Sequence, residues 1–270
     1  MKLVAIDLDG TLLNKAGTVS EENAAALRAF DAQGGTIALA TGRSIQSAKE
    51  VFKDLALSGY ALASNGAYVA RIEKGDITEV LKNYTIDPDT VKTALTLAMK
   101  AEVTVVASRA THDDRISFAQ DKNEVNSPYY AQFNLKESKA EDVWKEIEAQ
   151  QISYFKLAFT DKDTHKLFKL RAQLEKHAIN SSYSDTYWLE VMADGVNKGA
   201  ALKFLADELS LELSEVLAFG DQENDLEMLE LSGRSIAMAN AAPAVKKIAQ
   251  TTTKSNDQAG VAFVLKDYLV

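Results

Sequence analysis

The chain has 270 residues, is 46% hydrophobic and 26% charged, carries a formal net charge of −9 and contains no cysteine. The missing cysteines exclude a disulfide framework, a thiolate zinc site and a cysteine nucleophile. The acidic balance, with Lys246-Lys247 standing as an isolated basic pair, argues against a nucleic-acid surface, which needs clustered cations. The N-terminal apolar run is too short for a signal peptide, and no stretch reaches membrane-crossing length, so a cytoplasmic protein without membrane attachment is expected.

In chain order, Lys2 to Ile6 reads as a strand ending at Asp7. Ser20 precedes a helix with Ala24, Leu27 and Phe30 on one face, and Gly34-Gly35 stops it. Thr36 to Ala40 is a second strand, followed by Thr41-Gly42-Arg43-Ser44 and a helix carrying Ala48, Val51, Phe52 and Leu55. Tyr60 to Ala63 is a third strand, ending at Ser64-Asn65-Gly66. Residues 83–188 read differently. Pro88 opens a helix through Met99, and Val103 to Ala107 is a strand. Gln120 to Ser127 is a polar loop, and Ser138 with Glu141 forms a capping box before Val143, Trp144 and Ile147. Tyr154 to Phe159 is a strand, and Leu167, Leu170 and Leu174 mark another helix. The last third returns to alternation: a helix from Lys198 to Leu209, a strand from Val216 to Phe219 ending at Gly220-Asp221, a helix from about Asn224 to Leu231, and a strand from Ser235 to Met238. Alternating strands and helices predict a parallel α/β sheet, a Rossmann-like core formed by residues 1–82 and 189–270, with an inserted α+β domain over 83–188.

Ligands of open α/β sheets bind at the carboxyl ends of strands, and four polar clusters sit at such ends or at the helix start beside them. Asp7-Leu8-Asp9-Gly10-Thr11 offers two carboxylates, one able to attack phosphorus and one able to move protons. Thr41-Gly42-Arg43 supplies a hydroxyl and N–H groups before a helix. Lys198 stands in the first turn of a helix, where the macrodipole disfavours a cation, so another reason must place it there. Gly220-Asp221-Gln222-Glu223-Asn224-Asp225 is an acidic cluster suited to a hard cation. Each has a bland equivalent by itself: an Asp-Gly turn, an N-cap threonine, a solvated lysine, an acidic helix start.

Taken in order, these four strings resemble the haloacid dehalogenase-like hydrolase superfamily, and within it the Cof-type phosphatases, over essentially the whole chain. Leu189-Glu190-Val191-Met192, Asn240-Ala241 and Asn256-Asp257 add to the likeness, while Ala193 and Ala239 depart from the usual Pro and Gly. The resemblance implies a phosphatase for small phosphorylated metabolites, such as sugar phosphates or phosphorylated cofactors, with Mg²⁺ as cofactor. Asp7 would be nucleophile and metal ligand, Asp9 the general acid/base and a metal ligand through its backbone carbonyl, and Asp221 the further carboxylate ligand. Thr41, Gly42, Lys198 and Asn224 would hold the phosphoryl group, Asp225 would orient its neighbours, and Arg43 and Asn65 would lie at substrate contacts. Residues 83–188 would be the cap domain, where His112, Arg115, Tyr129 and Tyr130 are candidates for choosing the substrate. A phosphomutase, or a binding module that has lost turnover, remains open; Asp9 argues against the latter, because a pure binder has no use for a proton-transfer carboxylate. His165 and His177 are expected on exposed helix faces, and Trp144 in a core.

Overall fold

The N-terminal apolar run forms strand β1 (Leu3–Ile6), buried at every position, as expected of a central strand covered on both faces. The computed structural model describes residues 1–118 and 135–269 and divides into two compact units, 1–82 with 197–270, and 83–196. In the first unit β1 is followed by α1 (Glu21–Ala32), capped by the Ser20 side chain, then β2 (Thr36–Ala40), α2 (Ile45–Leu55) and β3 (Ser58–Ala63). Beyond the third expected strand a hairpin continues the sheet: β4 (Tyr68–Glu73) and β5 (Asp76–Asn83) turn at Lys74-Gly75, both with positive φ.

The second unit opens with α3 (Pro88–Ala101), whose N-cap Asp87 accepts from Thr90 N. It continues through β6 (Thr104–Ser108), β7 (Asp113–Ser117), β8 (Leu135–Glu137), α4 (Ala140–Glu148), β9 (Lys156–Thr160), α5 (Thr164–Lys176), β10 (Ser182–Asp185) and β11 (Trp188–Met192). Its sheet runs in the order β10-β11-β9-β6-β7-β8. Val105, Ala107, Leu157, Phe159, Leu189 and Val191 share one core with α3, α4 and α5, and Trp144 packs against it. His165 and His177 are exposed.

Two expectations need correction here. Trp188–Met192, assigned to the core domain from residue 189, pairs with β9 from Trp188↔Thr160 to Met192↔Lys156 and belongs to the second unit's sheet, because backbone pairing rather than apolar pattern decides which sheet takes a strand. The capping box at Ser138 and Glu141 does not form: the N-cap of α4 is Lys139, with no side-chain cap bond, and Ser138 Oγ donates to Asp114 Oδ1 at 2.6 Å instead. In a capping box the Ser138 oxygen would accept from a backbone N–H, whereas here its hydroxyl is turned to donate a charge-assisted bond to a buried carboxylate. The expected loop from Gln120 to Ser127, and Tyr129 and Tyr130, lie outside the described residues.

The chain then returns to the first unit with α6 (Lys198–Glu208), β12 (Val216–Gly220), α7 (Leu226–Leu231), β13 (Arg234–Ala237), α8 (Pro243–Ile248), β14 (Thr251–Thr252) and α9 (Gly260–Leu265). The helix expected from about Asn224 begins two residues later, after a 3₁₀ turn at Glu223–Asp225. The eight strands of this unit order as β14-β13-β12-β1-β2-β3-β4-β5. From β14 to β3 they are parallel, and β4 is antiparallel to β3. From β1 the chain builds outward through β2 and β3; on return it builds the opposite way from β12, placing a topological switch point between β1 and β12. Among the described residues no helix is long and apolar enough to cross a membrane.

Candidate active site

Register fixes which loops meet. Ile6 stands opposite Phe219 on one side and Leu39 on the other, so the turns after β1, β12 and β2 leave the same edge of the sheet. Asp7 follows β1 and Asp221 follows β12, one on each side of the switch point. Asp7 N donates to Phe219 O at 3.1 Å, tying the start of its turn to the neighbouring strand.

Asp7 is buried, and Lys198 Nζ donates to its Oδ1 at 2.7 Å. The same ammonium donates to Asp225 Oδ1 at 2.6 Å, and Lys198 is 0% exposed. This accounts for a cation in the first turn of α6: two buried carboxylates hold it against an unfavourable macrodipole. Burial pulls its pKa down, but Asp225 and Asp7 more than offset that and hold it above the ordinary lysine value. Asp225 has both oxygens engaged, since Oδ2 accepts from the N–H groups of Asp221 at 2.8 Å and Gln222 at 3.0 Å.

Asp221 Oδ1 accepts from Thr11 Oγ1 at 3.0 Å, and Oδ2 lies 3.4 Å from Gln222 Nε2 and 3.5 Å from Asn240 Nδ2. Asn240 Nδ2 also donates to Gly10 O at 2.7 Å. Gly10 has φ +77°, and a Cβ there would fall 2.2 Å from Asp221 Oδ2, so only glycine lets the first turn approach Asp221 this closely. Thr11 and Asn240 escaped assignment from sequence. Thr11 carried a signal, since it closes the Asp7–Thr11 string; Asn240 had none tying it to Gly10.

Charge is unbalanced at this edge. The carboxylates of Asp7, Asp221 and Asp225 offer oxygens within 4.8 Å of one another, against one ammonium. Burial pushes the Asp7 carboxyl up, Lys198 opposes it, and Asp225 and Asp9 add repulsion, leaving Asp7 at about 7. Burial, and then the charges of Asp7 and Asp225, lift Asp221 well above the usual carboxylate range. An oxygen-only, anionic donor set with excess negative charge fits a hard divalent cation.

The remaining candidates of the first unit lie in the turns after β2, β3 and β12. Thr41, fully buried after β2, accepts from Arg43 N through Oγ1 at 3.0 Å, and Ser44 rather than Thr41 is the N-cap of α2, which leaves Thr41 and Gly42 in the loop before it. The Arg43 guanidinium does not reach outward: Nε donates to Asp9 Oδ2 at 2.7 Å and the other arm of the fork to Asp9 Oδ1. Asn65, at φ 55°, accepts through Oδ1 from Asn224 Nδ2 at 3.0 Å, joining two candidates read separately from sequence. Gly66 beside it, at φ +91°, would place a Cβ 2.5 Å from Ala201 Cβ on α6. His112 and Arg115 belong to the second unit, where His112 Nε2 lies 3.3 Å from Asp114 Oδ1 and Arg115 pairs with Glu137 at 2.6 Å.

Known proteins share this architecture. The family model for haloacid dehalogenase-like hydrolases matches residues 4–265. The 5-amino-6-(5-phospho-D-ribitylamino)uracil phosphatase YcsE of Bacillus subtilis is 28% identical over 278 residues, covering 100% of this chain and 96% of that one. Phosphatase YwpJ of the same organism is 30% identical over 292 residues, covering 100% of both. The structure of a haloacid dehalogenase-like hydrolase from B. subtilis superposes with a TM-score of 0.85 at 27% identity, covering 98% of this chain and 99% of that one.

Proposed function

The chain belongs to the haloacid dehalogenase-like hydrolase family, and from that premise we propose that it hydrolyses small phosphorylated metabolites with Mg²⁺, passing the phosphoryl group to Asp7 and then to water. The observation that carries this reading is the buried Asp7–Lys198 contact, set in a carboxylate cluster at the switch point of the sheet. A structural salt bridge needs no surplus of carboxylates, whereas a site for a divalent metal does.

Asp7, Asp221 and the Asp9 backbone carbonyl would hold Mg²⁺, which when bound offsets repulsion between the anionic nucleophile and the anionic ester. Asp225 is assigned a supporting part, because its oxygens already hold Lys198 and the turn after β12. Lys198, the Thr41 hydroxyl, the Gly42 N–H and Asn224 hold the phosphoryl oxygens. Thr41 Oγ1 accepts from Arg43 N and so keeps its proton to donate, and Asn65 orients the Asn224 amide.

A carboxylate oxygen of Asp7 attacks phosphorus in line with the ester oxygen. The P–O bond to the leaving group breaks, and Asp9 gives its proton to that oxygen. Asp9, now ionised, takes a proton from water as the water attacks the aspartyl-phosphate, releasing inorganic phosphate and restoring Asp7. The relative named for a phosphoribitylamino-uracil supports a sugar or polyol phosphate as the substrate class.

The test is phosphate release from a panel of small phosphate esters with and without Mg²⁺, for wild type and Asp7→Asn. Hydrolysis that needs Mg²⁺ and vanishes in the variant is the expected result. Release that survives in Asp7→Asn removes Asp7 as nucleophile.

A further inference from the structure

The sequence places Arg43 among substrate contacts, yet its guanidinium is forked onto a side chain. Nε and one terminal nitrogen meet the two oxygens of Asp9, a planar fork on a planar carboxylate. Among the described residues both hydrogen bonds to the Asp9 carboxylate come from Arg43. The clamp is itself anchored. Arg43 N donates to Thr41 Oγ1 at 3.0 Å, and Arg43 O accepts from Ser64 N at 2.8 Å, so its backbone is tied to the turns after β2 and β3. Its side chain is 10% exposed and that of Asp9 26%, so the fork lies inside the protein and the carboxylate at the rim.

Asp9 lies in a glycine-bounded turn, and its side chain has two rotatable bonds. A proton donor acts only when held within hydrogen-bond reach of the leaving oxygen. We infer that Arg43 is the positioning residue for Asp9: it fixes the plane and rotamer of the proton-transfer carboxylate, rather than binding the phosphoryl group. The inference rests on the proposed acid–base role of Asp9. It places the selectivity of Arg43 in the leaving group, because an alkoxide must be protonated as it departs, while a nitrophenolate departs unaided.

The experiment compares kcat/KM for an alkyl ester, glycerol 1-phosphate, with that for p-nitrophenyl phosphate. These ratios report formation of the aspartyl-phosphate and are unaffected by its later hydrolysis. Variants are Arg43→Met, Arg43→Lys, Asp9→Asn and the double variant Asp9→Asn/Arg43→Met, with inorganic phosphate as competitive inhibitor. A positioned general acid contributes on the order of 10²-fold or more. Arg43→Met is expected to lower the alkyl ester about tenfold or more beyond any loss on the aryl ester, with the inhibition constant for phosphate unchanged. Arg43→Lys keeps the charge and loses the fork, and is expected to match Arg43→Met. The double variant is expected to be no worse than Asp9→Asn on the alkyl ester. Equal losses on both esters, or weaker phosphate inhibition with recovery in Arg43→Lys, would overturn the inference and make Arg43 a phosphoryl ligand. A flat leaving-group profile in Asp9→Asn would remove instead the reading of Asp9 on which the inference stands. If Arg43→Met fails to fold, Arg43→Lys carries the same comparison.

Discussion

Each unit of this protein buries a knot of acids and bases, and the two knots behave in opposite ways. In the first unit burial lifts the Asp7 carboxyl, neighbouring carboxylates add to the rise, and among the described residues one side-chain donor, Lys198, opposes it, so its pKa stands at about 7. In the second unit Asp114 takes four contacts. Oδ2 accepts from Arg109 Nε at 2.6 Å and Tyr154 OH at 2.7 Å, and Oδ1 accepts from Ser138 Oγ at 2.6 Å and lies 3.3 Å from His112 Nε2. Burial alone would push Asp114 up, but the hydrogen bonds outweigh it and hold the carboxyl below its ordinary value. Arg109 completes the knot through Glu146 at 2.5 Å and by stacking 4.6 Å from the Tyr154 ring. The residue types are alike; the difference is whether donors saturate the central carboxylate, as they do Asp114 and do not Asp7. A saturated knot stabilises a fold, and an unsaturated one keeps charge in reserve for a ligand.

The largest effect that can break this contrast is on activity. Asp7→Asn should lower phosphate release by about 10⁴-fold or more, the scale of losing a covalent nucleophile. It should leave the unfolding free energy of the metal-free protein unchanged or slightly raised, since it removes one of three crowded carboxylates. A large loss of stability would show that the first knot, too, is structural. Next comes Asp114→Asn, which removes the charge facing Arg109 and one of the two acceptor oxygens serving Arg109, Tyr154 and Ser138, and should cost about 2–4 kcal/mol in urea unfolding of the full chain. A cost under about 0.5 kcal/mol, typical of an uninvolved surface site, would deny the second knot its role.

Metal sharpens the comparison. Mg²⁺ at about 100 times its dissociation constant should stabilise the wild type by about 2.7 kcal/mol. Asp221→Asn should abolish that gain while Asp114→Asn keeps it, as read by the shift in thermal midpoint. The smallest effect is on acid stability. A carboxyl depressed in the fold contributes stability that is present above its unfolded pKa and lost as pH falls through the folded one. Wild type should therefore lose stability below about pH 4, where an unfolded Asp titrates, more steeply than Asp114→Asn. Parallel curves would mean that Asp114 is not held low.

The strand-end clusters were legible because each follows an apolar run at once: Asp7 after Leu3–Ile6, Asp221 after Val216–Gly220, Thr41 after Thr36–Ala40. The partners within them were not. Ser138 and Glu141 have the spacing of a capping box, yet Asp114, 24 residues away, takes the Ser138 hydroxyl. Leu189 to Met192 has an apolar pattern that suits either sheet, and only the pairing with Lys156–Thr160 assigns it. Arg43 reads as a cation beside a phosphate loop, and its fork could have faced outward as readily as onto Asp9.

The sequence by itself determined the alternation of buried strands and helices and the residue types at the strand ends, because period and turn chemistry act over a few neighbours. The tertiary structure alone decided that Lys198 reaches Asp7 across 191 residues, that Thr11 reaches Asp221 across 210, and that Arg43 clamps Asp9. Those contacts depend on parallel strands meeting in register at one edge of a sheet, and no local pattern encodes the distance between residues so far apart in the chain.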